Sequence, residues 1–264
     1  MLTTIVIVAA ALVLGLAANR LLRRRLPGEE AEALSMRDLV EPLQTLAVLV
    51  LAFVLVMAAE SYSKAEDAAR VEAAAVDNLY EVADYAGPQT RQQIQAHVVC
   101  YARAVLRSEW PSMVEGERSS APSVWANSFR TDFKAMSQDP RFDMIVDADQ
   151  KRHEGRYDRL AQSTPAIPGV IFWFMLITLA VTVIALAFTL PVKRRGTEIT
   201  TLVILTALLT ASLLIIYDVD RPFGGLVSIS PTEMTITQQD IDHDYADTYG
   251  KSKLPCDAQG RQMA

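Results

Sequence analysis

The sequence predicts an all-α integral membrane protein with four transmembrane helices and a helical extracytoplasmic domain. Two observations carry this prediction: four long apolar runs without a charged residue, and helical rather than strand-like periodicity between them. The runs cover residues 2–18, 43–59, 169–190 and 199–217. A helix needs about 20 mostly apolar residues to cross a hydrocarbon core roughly 30 Å thick, and the two shorter runs reach that length with their flanks. These runs exclude a soluble enzyme.

The basic residues of two short connectors predict the orientation of the chain. They are Arg20, Arg23, Arg24, Arg25 and Arg37 between the first two spans, and Lys193, Arg194 and Arg195 between the last two. The positive-inside rule places both connectors in the cytoplasm. Both termini then lie outside the cytoplasm, in a multi-pass protein of the plasma membrane. The basic connectors would meet the anionic headgroups of the lipid bilayer.

This topology divides the chain into four segments. Residues 1–59 hold spans one and two with a basic cytoplasmic loop at 20–41, and residues 60–165 form the helical extracytoplasmic domain. Residues 166–217 hold spans three and four with a basic cytoplasmic turn at 191–198, and residues 218–264 form an extracytoplasmic tail. Acidic residues outnumber basic ones in the outer segments, so we expect no nucleic acid partner.

Extensions of spans two and three are expected to build the outer domain. No Gly or Pro interrupts residues 43–86, and small or apolar residues recur every three to four positions from 65 to 83. A single helix of about 44 residues would be roughly 65 Å long, so it must continue past the bilayer. After Gly87 and Pro88, we expect helices at 88–109, around 124–136, and from about 140 towards span three, with a loop at 115–123.

The tail carries one signal for a helix start. Ser230, Pro231 and Glu233 have the spacing of a capping box with proline at the first helical position. We therefore expect a helix over 231–240. The acidic and aromatic segment 240–253 is expected to be irregular unless it packs on a neighbour.

The two cysteines, Cys100 and Cys256, both fall on the predicted outer side. Thiols outside the cytoplasm tend to be paired, so we expect a disulfide that ties the tail to the outer domain. The alternative is that both thiols are free and buried.

Hydroxyl side chains are the candidate functional groups inside the spans. Thr178 and Thr182 on span three, and Thr206 and Thr210 on span four, are each spaced i, i+4 and face one direction. Such stripes can line an anion path by donating hydrogen bonds, but they more often join neighbouring helices, and we favour this packing role. The runs hold no acidic or basic residue that a proton or sodium relay would need, so a coupled transporter is not expected.

The sequence contains no convincing metal-binding or catalytic motif. His97 lies three residues before Cys100, and His243 lies among Asp240, Asp242, Asp244 and Asp247, but neither pattern has the spacing of a known metal site. The sequence has no glycine-rich phosphate loop and no nucleophile or metalloprotease motif. We therefore expect no catalytic residue, no cofactor and no resident metal, and we expect that the protein is not an enzyme.

The segment after span four, Asp220-Arg221-Pro222-Phe223, is followed by two glycines. Asp220 could pair with Arg221 or cap a turn, and Phe223 could lie at the membrane interface. Arg221 has two interpretations. It could be an anion-attracting charge at a pore mouth, or it could be a structural clamp between the tail and the helix that extends span two.

These residues carry a resemblance that covers roughly positions 40 to 240. The chain is similar to the bestrophin-like family, a bacterial and plant group of membrane proteins. The matching residues are Glu66, Arg70, Glu72, Ala73, Tyr101, Glu109, Trp110, Pro111, Arg159, Leu160, Pro165, Pro168 and the segment Asp220-Arg221-Pro222-Phe223-Gly224. The resemblance implies four transmembrane helices and kinship to pentameric chloride channels.

Two hypotheses about function follow. The first is an oligomeric channel for chloride or another anion, in which Arg221 and the threonine stripes line the route. Four short spans cannot enclose a pore alone, so this hypothesis requires a homo-oligomer. The second is a non-catalytic accessory or assembly subunit docked on a larger membrane protein complex. The oligomeric state distinguishes the two.

Overall fold

A computed structural model describes residues 1–25, 30–190 and 195–263 of the chain. Within these ranges the fold is all-helical, and the sole β-type pairing is an isolated bridge between Cys256 and Gln262. The helices are α1 (Leu2–Arg25), α2 (Glu30–Val82), α3 (Pro88–Ala104), α4 (Trp110–Val114), α5 (Ala121–Ala135), α6 (Phe142–Gln162), α7 (Gly169–Phe188), α8 (Arg195–Val219) and α9 (Thr232–Tyr249). Short 3₁₀ turns cover Ala83–Tyr85 and Lys251–Lys253, and a π-helical turn covers Val105–Glu109.

Four helices are long and apolar enough to cross a membrane, which confirms the predicted number of spans. The candidate spans are Leu2–Leu21, Val40–Tyr85, Gly169–Phe188 and Gly196–Val219. The second contains far more residues than one crossing needs: after Glu41 an uncharged stretch runs to Ala59, and charged residues recur from Glu60 onward. The protein is therefore a multi-pass membrane protein.

The residues of the two predicted cytoplasmic connectors are partly helical and partly outside the described residues. Residues 26–29 and 191–194 lie outside the described residues, and so do the side chains of most of the basic residues that set the orientation. The rest of the predicted loop 20–41 is helical, because α1 continues to Arg25 and α2 begins at Glu30. The side of the membrane on which these connectors lie stays a prediction.

The chain forms two compact units, and their boundary passes through α2. Unit 1 comprises Met1–Glu60 and Ala166–Asp220, and unit 2 comprises Ser61–Pro165 and Arg221–Ala264. Unit 1 thus contains the apolar part of all four spans, whereas unit 2 contains the charged continuation of α2 together with the remaining helices.

Apolar side chains fill the centre of unit 1. Val8, Leu51, Leu179 and Leu213, one from each span, belong to a single buried cluster. At Gly15 of α1, a Cβ atom would lie 2.7 Å from the Cβ of Ala187 in α7, so only glycine allows this close helix approach. The amide of Asn19 donates to the carbonyl of Ala187 at 3.0 Å and so ties the same two helices together.

The core of unit 2 is larger and combines α2, α3, α5, α6 and α9. Its buried residues include Leu79, Val98, Phe129, Ile145 and Tyr245. The buried positions of α2 recur every three to four residues here, as Ala65, Ala69, Ala73, Val76 and Leu79, and Ala83 in the following 3₁₀ turn continues the series. This periodicity is the one that the sequence analysis used to predict a continuous helix, and α2 is continuous from Glu30 to Val82.

The segment that precedes span three is a separate helix. Residues 163–168 between α6 and α7 are not helical, because Pro165 and Pro168 lack the backbone N–H that helix continuation needs. The carboxylate of Asp220 accepts hydrogen bonds from the backbone N–H groups of Ala166 and Ile167, at 2.9 and 3.0 Å. The break between α6 and α7 is therefore held by a side chain from the end of α8.

Two expectations for the tail are wrong. Helix α9 continues to Tyr249 instead of ending near residue 240, because Ile241 and Tyr245 are buried in the core of unit 2. The capping box is not formed: Pro231 is the N-cap residue, and the Ser230 hydroxyl pairs with the Thr232 hydroxyl at 2.7 Å. Tertiary contacts thus extend the helix beyond the limit that weak local propensity indicated.

Candidate functional site: a buried charged cluster

A cluster of charged side chains lies inside unit 2, and α2, α3 and α6 supply most of it. Arg159 of α6 donates to the carboxylates of both Glu72 and Glu109. All three of these side chains have a relative exposure of 0%. Burying charges is costly unless they are paired and hydrogen-bonded, and here each carboxylate faces a guanidinium. We refer to Glu72, Tyr101, Glu109, Arg152, Arg156 and Arg159 as the charged cluster.

The π-helical turn Val105–Glu109 positions Glu109. Pro111 follows at the start of α4 and cannot donate a backbone hydrogen bond to the preceding turn. A widened turn accommodates such a residue, and the chain then continues as a helix. Turns of this π-helical kind are frequent at functional sites. The sequence analysis placed the helix end at Glu109, where the structure instead has a π-turn followed by α4.

Three further cluster members complete the pairing. The guanidinium of Arg156 donates to Glu109 at 2.6 Å, and the hydroxyl of Tyr101 donates to Glu72 at 2.6 Å. Arg152 pairs with Asp149 at 2.6 Å and lies 4.6 Å from the ring centre of Tyr101, within cation–π range. Every charged member of the cluster therefore has an opposite charge in contact.

Gly155 lets α6 approach α2 at the centre of this cluster. A Cβ atom at this position would lie 2.8 Å from the Cα of Glu72, closer than real Cβ atoms come. Small residues allow helix backbones to pack closely, and here the short distance brings Arg159 within reach of Glu72. The glycine is therefore part of the geometry of the cluster.

Burial and the neighbouring charges perturb the titration of the cluster. Burial, and after it the Glu72 carboxylate, raises the pKa of the Tyr101 hydroxyl above its ordinary value. Burial alone would lower the pKa of Arg159, but Glu72 and Glu109 together raise it. Arg159 thus stays positively charged throughout the accessible pH range.

Two aromatic side chains cover one side of Arg159. The guanidinium carbon lies 5.3 Å from the ring centre of Trp110. Trp110 in turn makes an edge-to-face contact with Phe223, with ring centres 5.4 Å apart. Residues that carried the family resemblance at separate places in the sequence therefore meet here.

The segment that contains Phe223 is folded as a tight structural turn. Pro222 and Phe223 are buried, and the carbonyl of Pro222 accepts a hydrogen bond from Ile229 at 2.8 Å. A Cβ atom on Gly224 would lie 2.8 Å from the carbonyl oxygen of Val114, so this close approach requires glycine. Arg221 is the exposed residue of the motif.

Two of the four candidate threonines, Thr182 and Thr210, hydrogen-bond to their own helices. The hydroxyl of Thr182 donates to the carbonyl of Thr178 at 2.8 Å, and that of Thr210 donates to the carbonyl of Thr206 at 2.7 Å. Thr182 and Thr206 are buried within unit 1. Because a hydroxyl has one proton to donate, Thr182 and Thr210 have none left for an anion in this arrangement.

Both cysteines and two of the three histidines have partners other than metal. Cys100 and Cys256 form a disulfide that joins α3 to the chain after α9, across 156 positions of sequence. His97 contacts Asp132 at 2.6 Å, and the exposed His243 contacts Asp247 at 3.2 Å. Among the residues described, no group of three or more His, Cys, Asp or Glu side chains is arranged to hold a metal ion.

Sequence reasoning missed part of this cluster. It quoted Glu72, Tyr101, Glu109 and Arg159 as motif residues, but it did not place them together, and it did not single out Arg152 or Arg156. A signal exists, because Arg152, Arg156 and Arg159 follow one another at i, i+4 and i+7 on a helix whose same face carries the buried Ile145 and Ala148. Arginines in register with a buried stripe indicate buried partners of opposite charge.

Unit 2 also contains a cavity of about 320 Å³. Two side chains of α2, Tyr62 and Glu66, line one part of it, and the residues before and within the first turn of α9 line another. The complete lining is Tyr62, Glu66, Ala69, Arg70, Trp110, Ser228, Ile229, Ser230, Pro231, Thr232, Glu233 and Met234. Trp110 thus belongs both to the cover of Arg159 and to this cavity.

A family model and a search of solved structures both relate this chain to bestrophin-type proteins. No curated protein matches the chain. Two crystal structures of point mutants of a bacterial bestrophin homologue from Klebsiella pneumoniae have the same fold at 13% identity, with TM-scores of 0.67 and 0.66. The alignments cover 94% of this chain and 100% and 99% of those chains. The family model of the bestrophin-like domain matches residues 5–234. Because this match spans most of the chain, the protein belongs to the bestrophin-like family.

Proposed function

We propose that the protein is a subunit of a homo-oligomeric anion channel. The observation that carries this proposal is the family match over residues 5–234 together with a fold shared with the bacterial bestrophin homologue over nearly its whole length. Kinship to chloride channels is what the family resemblance implies. The charged cluster does not argue for catalysis, because it is largely buried and each of its charged members contacts an opposite charge.

The packing of unit 1 supports an ion path between subunits. Its four spans surround a core of apolar side chains, so a hydrated ion has no route through the described part of one subunit. Large apolar side chains instead face outward on every span, among them Leu14, Phe53, Phe174 and Leu208. Lipid and neighbouring subunits are the two surroundings that such faces fit.

The threonine stripes stay candidates for the lining of the anion path, and two of their four hydroxyls are already engaged. Thr182 and Thr210 donate to their own helix backbones, which leaves the anion path without those two hydroxyl donors. Arg221 stays the candidate for an anion-attracting charge, because it is exposed beside the buried Pro222 and Phe223. Its positive charge would raise the local anion concentration at an entrance.

The test is the mass of the native particle extracted in mild detergent, with its chains identified. A homo-oligomer of this chain supports the channel, and we expect it to conduct chloride in liposome flux measurements. A single copy bound to larger, unrelated chains would contradict the proposal and favour the accessory role. A homo-oligomer that passes potassium in preference to chloride would contradict the proposed ion.

Replacing Arg221 tests its role separately. We expect Arg221→Ala to reduce chloride flux several-fold while the particle mass stays unchanged. The matched control is Arg118→Ala, an exposed arginine in the loop before α5. Unchanged flux combined with a lower unfolding temperature would assign Arg221 to the structural interpretation instead.

A further inference from the structure

The cavity of unit 2 has an excess of negative charge. Glu66, Arg70 and Glu233 are its three charged lining residues, so two carboxylates share one guanidinium. Arg70 contacts Glu66 at 3.0 Å, and Glu233 lies within electrostatic range of the same guanidinium. The charged side chains of the lining therefore carry a net charge of −1.

The existing ion pair at this cavity is open to competition. The side chains of Arg70 and Glu66 are 53% and 46% exposed. Ion pairs that water reaches to this extent contribute little to stability. A cationic ligand could therefore engage Glu66 without disrupting the fold, which is not true of the buried pairs of the charged cluster.

The remaining lining fits a small ligand with an ammonium end. Tyr62 and Trp110 supply aromatic surface, which attracts cations. The hydroxyl side chains of Ser228, Ser230 and Thr232 add hydrogen-bonding groups, and residues 228–230 lie outside any helix. The volume of about 320 Å³ is at the lower end of the range for ligand pockets, roughly 300–1,000 Å³.

We propose that this cavity binds a compact primary amine in its protonated form. An ammonium group has three N–H donors and no acceptor, so it can bridge Glu66 and Glu233 and still donate to a hydroxyl or a carbonyl at the cavity wall. It supplies the positive charge that the lining lacks. The apolar part of the ligand packs against Tyr62 and Trp110.

The test uses ethylamine as the probe and the full-length protein in detergent at neutral pH. We expect ethylamine to bind in the millimolar range by isothermal titration calorimetry, whereas ethanol and acetate do not bind. Ethanol matches the probe in size without the charge, and acetate matches it in size with the opposite charge. Glu233→Gln should weaken ethylamine binding about tenfold, the size of one charged hydrogen bond near the surface.

Two controls make the result specific. Glu117→Gln changes an exposed glutamate of unit 2 that does not line the cavity, and it should leave the affinity for ethylamine unchanged. Ser230→Phe places a ring at the exposed edge of the cavity and should abolish binding without removing a charge. Unfolding temperatures of all variants show whether a loss of binding reflects a loss of fold.

The proposal is overturned if ethylamine does not bind to the wild-type protein, if acetate binds as well as ethylamine, or if Glu117→Gln weakens binding as much as Glu233→Gln. None of these measurements depends on ion flux or on the oligomeric state. A protein that binds ethylamine but conducts no ion would contradict the proposed channel and support the amine site. A protein that conducts chloride but does not bind ethylamine would support the channel and contradict the amine site.

Discussion

Arg159 is the residue on which the interior of unit 2 depends most. It is the one member of the charged cluster that contacts both Glu72 and Glu109, and it also lies against Trp110. A buried ion pair is not by itself a source of stability, because desolvation offsets the attraction between the charges. Removing the guanidinium of Arg159 is strongly destabilising, however, because the carboxylates of Glu72 and Glu109 then lose a buried partner of opposite charge.

We therefore expect Arg159→Met to lower the free energy of unfolding by about 3–5 kcal/mol. Methionine keeps much of the side-chain volume, so the loss reports the charge of the guanidinium more than a cavity. Chemical denaturation in detergent measures the change. The control Arg118→Met replaces an exposed arginine, and it should change stability by less than about 0.5 kcal/mol. Equal effects of the two substitutions would contradict the proposed role of the cluster.

The raised pKa of Tyr101 predicts a loss of stability at alkaline pH. Its hydroxyl titrates at a higher pH in the folded protein than in the unfolded chain, where the pKa is about 10. Its contribution is therefore fully present below about pH 10 and is lost as the pH rises towards the folded pKa, because only the unfolded chain then releases the proton. Tyr101→Phe should flatten this alkaline decrease in unfolding temperature, and an unchanged profile would contradict the assignment.

At the scale of elements, the disulfide fixes the chain after α9 against α3. Trp125 donates to the carbonyl of Gly260 at 2.8 Å, and a Cβ atom on Gly260 would lie 2.4 Å from the backbone nitrogen of Ala104. Gly260 also has a positive φ of 74°, which favours glycine. The segment after Tyr249 is thus held by the Cys100–Cys256 bond together with a close backbone contact.

Removing this bond should destabilise unit 2. A disulfide that closes a long loop restricts the unfolded chain, and we expect Cys256→Ser to lower the free energy of unfolding by about 3–5 kcal/mol. Peptide mapping without reductant should recover a fragment that joins Cys100 to Cys256. Adding reductant should lower the unfolding temperature of the wild-type protein but leave Cys256→Ser unchanged. A reductant effect of equal size in both proteins would show that the bond is not responsible.

The sequence predicted elements well where one local rule decides the outcome. The apolar runs located the four spans, and the absence of Gly and Pro predicted the continuity of α2 from 43 to its end at Val82. It failed at α9, because Ile241 and Tyr245 form helix only through burial against other helices. It also could not bring Glu72, Glu109 and Arg159 together, since their proximity depends on the close α2–α6 approach at Gly155.

At the scale of the whole molecule, two predictions from the sequence depend on each other. The arginine-rich connectors predict that both termini lie outside the cytoplasm. The bond between Cys100 and Cys256 is stable in an oxidising compartment, and reducing conditions in the cytoplasm would oppose it. The observed pairing of the cysteines therefore fits the orientation that the basic residues predict, and it would not fit the inverted one.

Reporter fusions measure this orientation directly. We expect alkaline phosphatase fused after residue 263 to be active, because the enzyme folds only where its own disulfides form, and we expect it to be inactive when fused after residue 195. A fluorescent protein that folds only in the cytoplasm should give the opposite pattern at both positions. If the fusion after residue 263 is fluorescent and the phosphatase is inactive, the orientation is inverted. The disulfide would then lie on the reducing side, and α3 would be joined to the chain after α9 by noncovalent contacts, among them the hydrogen bond that Arg103 donates to the carbonyl of Asp257 at 3.2 Å.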